Sequence, residues 1–181
     1  MANAVIFLAD GFEEIEGLTV VDVLRRAGIG ITTVAVSGGK IVCGSHNIKL
    51  YADEVFDNMD VSQYDAVILP GGMPGTTYLM EHEGVNRVIK EFAEAGKLVA
   101  AICAAPGVLG EAGLLKGRKA SVYPGFEEHL RDAEYVENEV VTDGNIITAP
   151  GMGKALQFSF EILRYLMDGE AAEKMKKEII F

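Results

Sequence analysis

The chain has 181 residues, 49% hydrophobic and 24% charged, with 21 glycines. That composition excludes a disordered or fibrous chain and suits one packed domain rich in tight turns. Sixteen Lys+Arg against 27 Asp+Glu leave a net charge of −11, which disfavours binding to nucleic-acid phosphates.

The opening "MANAVIFLADGFEE" has no basic region or cleavage site. It reads as a first strand over 3–9 and not as a secretion signal, so a cytoplasmic protein is expected. No apolar run approaches the roughly 20 residues that cross a bilayer, so no membrane partner is expected. From Glu13 to Ala27, Ile15, Leu18, Val21 and Leu24 recur at helical spacing, and Gly28 ends the helix. A second strand is expected at 30–36. A Gly-Ser-His-Asn turn inside 40–53 marks a hairpin-like excursion that carries Cys43.

"DAVILPGG" (65–72) is a buried strand running into a glycine turn, and 84–96 is an amphipathic helix with a glycine stop. "KLVAAIC" (97–103) is the next strand, and "APGVLGEAG" starts a helix. Two strands flank an Asp-Gly turn in 139–151, an apolar helix follows at 155–169, and a charged one at 170–180. This alternation predicts an α/β fold over 1–181, with a doubly wound, mostly parallel sheet and helices on both faces.

Ligands in such sheets bind beyond the carboxyl ends of the strands. Three loops lie there: "ADGFEEIE", "PGGMPGT" and "CAAPG". Cys103 sits at a strand-to-helix turn with small neighbours, where a helix N-terminus predicts a thiol pKa below the free value of roughly 8.5. The alternative is a buried, inert thiol ending an apolar strand. Glu13, Glu14 and Glu16 either complement a helix dipole or send one carboxyl, kept protonated, into the site. Periodicity does not choose among them. "PGG" offers a backbone N–H for an oxyanion.

The disulfide and metal options close quickly. Two cysteines make no disulfide framework, and His46, His82 and His129 have no metal-ligand spacing with them. "PGMGK" does not match a phosphate loop, and no cofactor or metal is expected.

Together, "GFEEIE", "ILPGG" and "AAICAAPG" resemble the DJ-one/ThiJ/PfpI family, in its DJ-one/ThiJ branch with the bacterial YajL-like members. "VDVLRRAGI" (21–29), "YDAVILPGG" (64–72) and "APGMGKALQFSFEI" (149–162) extend the match over nearly the whole chain. The resemblance implies a flavodoxin-like sandwich of the class I glutamine amidotransferase type, usually a homodimer. It implies that Cys103 is the reactive thiol, that Glu16 is the protonated acid on its sulfur, and that the N–H groups of Gly72 and Ala104 hold an oxyanion or sulfinate. Arg26 matches an arginine of a dimer-facing anionic pocket.

Two departures bear on activity. Ala104 follows the cysteine where the protease-like branch has histidine, which argues against a peptidase. Tyr123 in "ASVYPGFEEH" stands where human-like members carry histidine, and His129 reads as a surface helix residue. The activity implied is a slow, cofactor-free glyoxalase or deglycase reaction on small aldehydes or glycated protein. The alternative is a stress sensor or holdase chaperone working through oxidation of Cys103.

Overall fold

The computed structural model describes residues 2–181, with Asn58 described by its backbone alone. The first half runs β1 (Asn3–Leu8), α1 (Glu14–Arg26), β2 (Gly30–Ala35), β3 (Ile41–Cys43), β4 (Lys49–Tyr51), β5 (Glu54–Val55), β6 (Ala66–Leu69), α2 (Gly75–Glu81) and α3 (Glu83–Glu94). The second half runs β7 (Leu98–Ile102), α4 (Pro106–Glu111), β8 (Lys119–Ala120), β9 (Glu134–Tyr135), β10 (Val141–Asp143), β11 (Ile146–Ala149), α5 (Ala155–Leu166) and α6 (Gly169–Glu178).

Seven strands form one sheet in the order β10-β11-β7-β6-β1-β2-β5. All neighbours are parallel except the β10–β11 hairpin. The central strands are buried on both faces, so their side chains divide by parity. Ala4, Ile6 and Leu8 of β1 join one core with α1, α5 and α6. Val5 and Phe7 of β1 and the following Ala9 join the other with α2, α3 and α4. The expected flavodoxin-like α/β sandwich is what forms.

The chain leaves β1 for β2 on one side and returns to β6 on the other. A crevice therefore opens beyond the carboxyl ends of β1 and β6. The ends of β7 and β11 lie beside it, because Cys103 N–H donates to Ala149 O at 2.8 Å.

Helix boundaries follow local chemistry. Gly28 takes φ +80° just past α1, a backbone that glycine adopts without a Cβ penalty. The His82 imidazole accepts from Val85 N–H at 3.2 Å and caps α3.

Several expectations need correction. The "PGGMPGT" loop runs straight into α2, a two-turn helix too short to show a period. Strands β5, β8 and β9 have two residues each, and nothing in their patterning announces them. Ile15 and Leu18 share the spacing of Val21 and Leu24 but are 49% and 39% exposed. Their stripe reaches past the core onto an open groove.

His129 is also misread as a surface helix residue. It lies on a 3-10 turn over α4, half-buried, with Nδ1 2.9 Å from Glu111. The close approach of its Cβ to Gly107 explains why α4 carries glycine there.

Candidate active site

Cys103 follows β7 with φ +65°, a conformation that non-glycine residues seldom take. Its N–H is tied to Ala149 O, and its carbonyl accepts from Tyr123 N–H at 2.7 Å. The two bonds hold the thiol at a sharp elbow facing a cavity of about 700 Å³. Glu16, Gly72 and Tyr123 line the same cavity.

Glu16 is the acid of the three that reaches the Cys103 sulfur. It projects from the first turn of α1, is 1% exposed, and hydrogen-bonds the Cys103 sulfur. Its Oε2 accepts from Gly71 N–H at 2.9 Å. Burial pushes its carboxyl up to about 7, and the Glu13 charge adds to the rise against the two hydrogen bonds.

Gly71 has room for no side chain. A Cβ there would stand 2.6 Å from Cys103 Cβ and 2.7 Å from Glu16 Oε2. The sequence reading stressed Gly72 and missed this contact, which only the fold reveals. Gly72 itself takes φ +93°, and its N–H and that of Ala104 both donate toward the sulfur. The four residues expected at the sulfur are thus brought together: Cys103, Glu16, Gly72 and Ala104.

The expected low thiol pKa is not found. Burial pushes the Cys103 thiol up to about 12, with the Glu16 charge and hydrogen bond adding to the rise. The Ala104 and Gly72 N–H groups oppose it. The helix invoked to lower it, α4, has six residues and begins only at Pro106. A short dipole at that remove does not offset desolvation.

The pair therefore loses one proton near neutrality and keeps the other far into base. In that monoanion a thiolate exists only while Glu16 holds the remaining proton.

Arg26 lies away from this chain's own sulfur. It ends α1, exposed, and its Nε pairs with Asp22 at 2.5 Å. Its groove of about 670 Å³ is lined by Ile15, Leu18, Ile48, Leu156 and Ile179.

Two residues at the cavity mouth escaped the sequence reading, His46 and Lys154. His46 Nδ1 is 2.9 Å from Glu14 and 3.6 Å from Glu13. Among the described residues, these three form a cluster whose potential metal-ligand atoms lie within 4.8 Å of one another, and it contains no cysteine. Glu14 is already engaged there, accepting from His46 N–H at 2.8 Å and Ser45 Oγ at 3.2 Å.

The DJ-1/PfpI family model matches residues 2–165. The chain belongs to that family. Protein dj-1beta of Drosophila melanogaster is 35% identical over 180 residues, covering 98% of this chain and 96% of that protein. DJ-1 homolog B of Arabidopsis thaliana is 36% identical over 171 residues, 94% of this chain. The chain spans 39% of that plant relative's length. Deglycase TK1284 of Thermococcus kodakarensis is 32% identical over 166 residues, covering 91% of this chain and 99% of that one.

The fold agrees with solved structures of the DJ-1 superfamily. The protein STM1931 of Salmonella typhimurium superposes with a TM-score of 0.95 at 32% identity. The match covers 100% of this chain and 99% of that one. Among the described residues, no helix is long and apolar enough to cross a membrane.

Proposed function

We propose that this DJ-1/PfpI protein is a cofactor-free, cysteine-dependent glyoxalase or deglycase acting slowly on small 2-oxoaldehydes or their adducts. The observation that carries the reading is the Glu16 carboxyl on the Cys103 sulfur, buried and shifted to about 7. A proton-transfer group is most effective when its pKa lies near the working pH. The name of the Thermococcus relative, a deglycase, supports the same class.

The chemistry uses the pair's single proton. The Cys103 thiolate adds to the aldehyde carbon, forming a C–S bond, and protonated Glu16 gives its proton to the resulting alkoxide. The N–H groups of Gly72 and Ala104 steady that oxygen. Glu16, now a carboxylate, takes the hydrogen of the same carbon as a proton and returns it to the neighbouring carbonyl carbon, while the hydroxyl proton of the first carbon passes to the neighbouring oxygen. The first carbon is thereby oxidised by two electrons and the second reduced by two, leaving a thioester of a 2-hydroxy acid. Water cleaves the C–S bond and regenerates the pair.

A second reading, a redox sensor, is favoured by the exposure of the same sulfur to the cavity. Two equivalents of peroxide would convert the thiolate to a sulfinate, releasing two waters, and the same N–H groups and Glu16 proton would hold its oxygens. Lactate production from methylglyoxal separates the two. Wild type yields lactate and Cys103→Ser yields none, whereas equal output from both, or none from either, removes the enzyme.

A homodimer is part of the proposal. The apolar groove on α1 leaves Ile15 and Leu18 exposed on an otherwise acidic chain, and large apolar patches of this kind mark interaction surfaces. Leu18→Glu should shift light scattering from a dimer to a monomer mass. A monomer in wild type at micromolar concentration would contradict the assembly.

A further inference from the structure

Lys154 is a cation at the mouth of an acidic cavity. Strand pairing of β7 with β11 sets the segment after Ala149 beside Cys103. Pro150 to Lys154 then form one wall, with Lys154 immediately before α5. Gly151 packs on Tyr123, since a Cβ there would lie 3.5 Å from its ring. The wall and the tyrosine thus border the same opening.

Among the described residues, Lys154 is the only lysine or arginine lining this cavity. The other charged or titratable side chains there are Glu13, Glu16, His46, Tyr123 and Cys103 itself. His46 is held by Glu14 and Glu13. No carboxylate pairs with Lys154 among the described residues, unlike Lys40, Lys119, Lys174 and Lys176. It is half-buried on the ridge toward a second hollow that contains Glu139 and Glu161, and Glu161 is paired with Arg164 at 3.3 Å.

On a chain of net charge −11, an anionic molecule meets general repulsion, and a local cation lining the cavity offsets part of it at short range. An ammonium is a compact point charge suited to one carboxylate oxygen. A dianionic phosphate would be opposed more strongly by Glu13 and Glu16 than a monoanion.

We propose that Lys154 is a specificity-determining residue that selects aldehydes bearing a carboxylate at the end remote from the reacting carbon. This rests on the aldehyde reading above for its substrate class, a 2-oxoaldehyde with a terminal carboxylate. The anion preference itself requires only the thiol and the lysine. In the reaction described for Cys103 the carboxylate takes no covalent part, and the atom balance is unchanged.

Iodoacetate and iodoacetamide alkylate the same sulfur, are similar in size and differ in charge. Their rate ratio cancels the thiolate fraction, so an effect of Lys154 on the thiol does not enter. In a Cys43→Ser background, Lys154→Met should lower the iodoacetate/iodoacetamide ratio at Cys103 about three- to tenfold, and Lys154→Arg should retain it. Raising salt from about 0.02 M to about 0.5 M should bring the wild-type ratio toward that of Lys154→Met. A ratio unchanged in Lys154→Met overturns the anion site.

Turnover tests the substrate class separately. The kcat/KM for dioxovalerate relative to methylglyoxal should fall by a similar factor in Lys154→Met. If wild type consumes neither compound, the aldehyde reading and the assigned substrate class both fail, whereas the alkylation ratio still decides the anion site. If it consumes methylglyoxal but shows no Lys154-dependent preference for dioxovalerate, the aldehyde reading stands and the specificity assignment fails.

Discussion

The two sides of the α1 N-terminus treat neighbouring carboxylates in opposite ways. Glu14 faces the β3–β4 hairpin and Glu16 faces the thiol cleft, and both are buried. Burial raises Glu14 too, but hydrogen bonds from the His46 side chain and from the Glu14, His46 and Ile48 N–H groups outweigh it and hold that carboxyl near 2. Glu16 has one N–H donor, from Gly71, and a thiol for a neighbour, so desolvation prevails and its carboxyl rises to about 7. Burial alone does not decide protonation; the number of donors aimed at the carboxylate does.

The sharpest separation should appear in activity. Glu16→Gln keeps the shape and the bond from Gly71, but an amide cannot take up and return a proton. Lactate formation should fall about 10²–10⁴-fold, while Glu14→Gln should lose only a few-fold. Similar losses in both variants would mean that Glu16 serves only to hold the elbow.

Gly71→Ala probes the contact between acid and sulfur. The new methyl would crowd Cys103 Cβ and Glu16 Oε2 together, so activity should drop at least about tenfold even if the protein folds. Wild-type activity in that variant would show that the acid tolerates displacement from the sulfur.

Stability against pH should reveal the same opposition. Glu16 ordinarily titrates near 4.5 and in the fold near 7, so the folded state holds its proton more tightly. Its contribution is fully present below 4.5 and is lost as pH rises to about 7, a difference of ~3 kcal/mol. Glu14 is the reverse: its contribution is present above 4.5 and lost as pH falls through about 2. Chemical denaturation at pH 8 should find Glu16→Gln more stable than wild type and Glu14→Gln less stable. Near pH 4 the Glu16→Gln advantage should vanish. A Glu16→Gln variant less stable than wild type at pH 8 would contradict the raised carboxyl.

The smallest effect is expected at Tyr123. It borders the cavity and its N–H binds the Cys103 carbonyl, so Tyr123→His would place an imidazole titrating near neutrality at the mouth. A rise of a few-fold in lactate formation is expected. A drop would indicate that the phenol itself orders the opening.

The buried strands and their helices were legible because runs such as "AVIL" and "LVAAI" admit few other structures. The elbow was legible because a lone cysteine between a strand and "AAPG" has few places to go. The choice among Glu13, Glu14 and Glu16 was not, since it depends on the hairpin's N–H groups, about thirty residues away in sequence. The thiol's electrostatics are not legible there, because burial overrides the effect of a helix only six residues long. Lys154 and His46 reach the mouth through the pairing of β11 with β7 and the return of the β3–β4 hairpin, contacts that no local pattern encodes.

The most direct measurement is the pH dependence of Cys103 alkylation by iodoacetamide, in a Cys43→Ser background, for wild type and Glu16→Gln. A shared proton predicts that the wild-type rate rises with a midpoint near 7, where the pair loses its first proton and a thiolate opposite protonated Glu16 becomes available. Glu16→Gln should lose that midpoint and react only as the buried thiol itself ionises, above the ordinary range near 8.5. A wild-type rate that stays flat through pH 7 and climbs only in strong base would show that Glu16 ionises alone, leaving Cys103 a protonated thiol with no part in aldehyde chemistry at neutral pH.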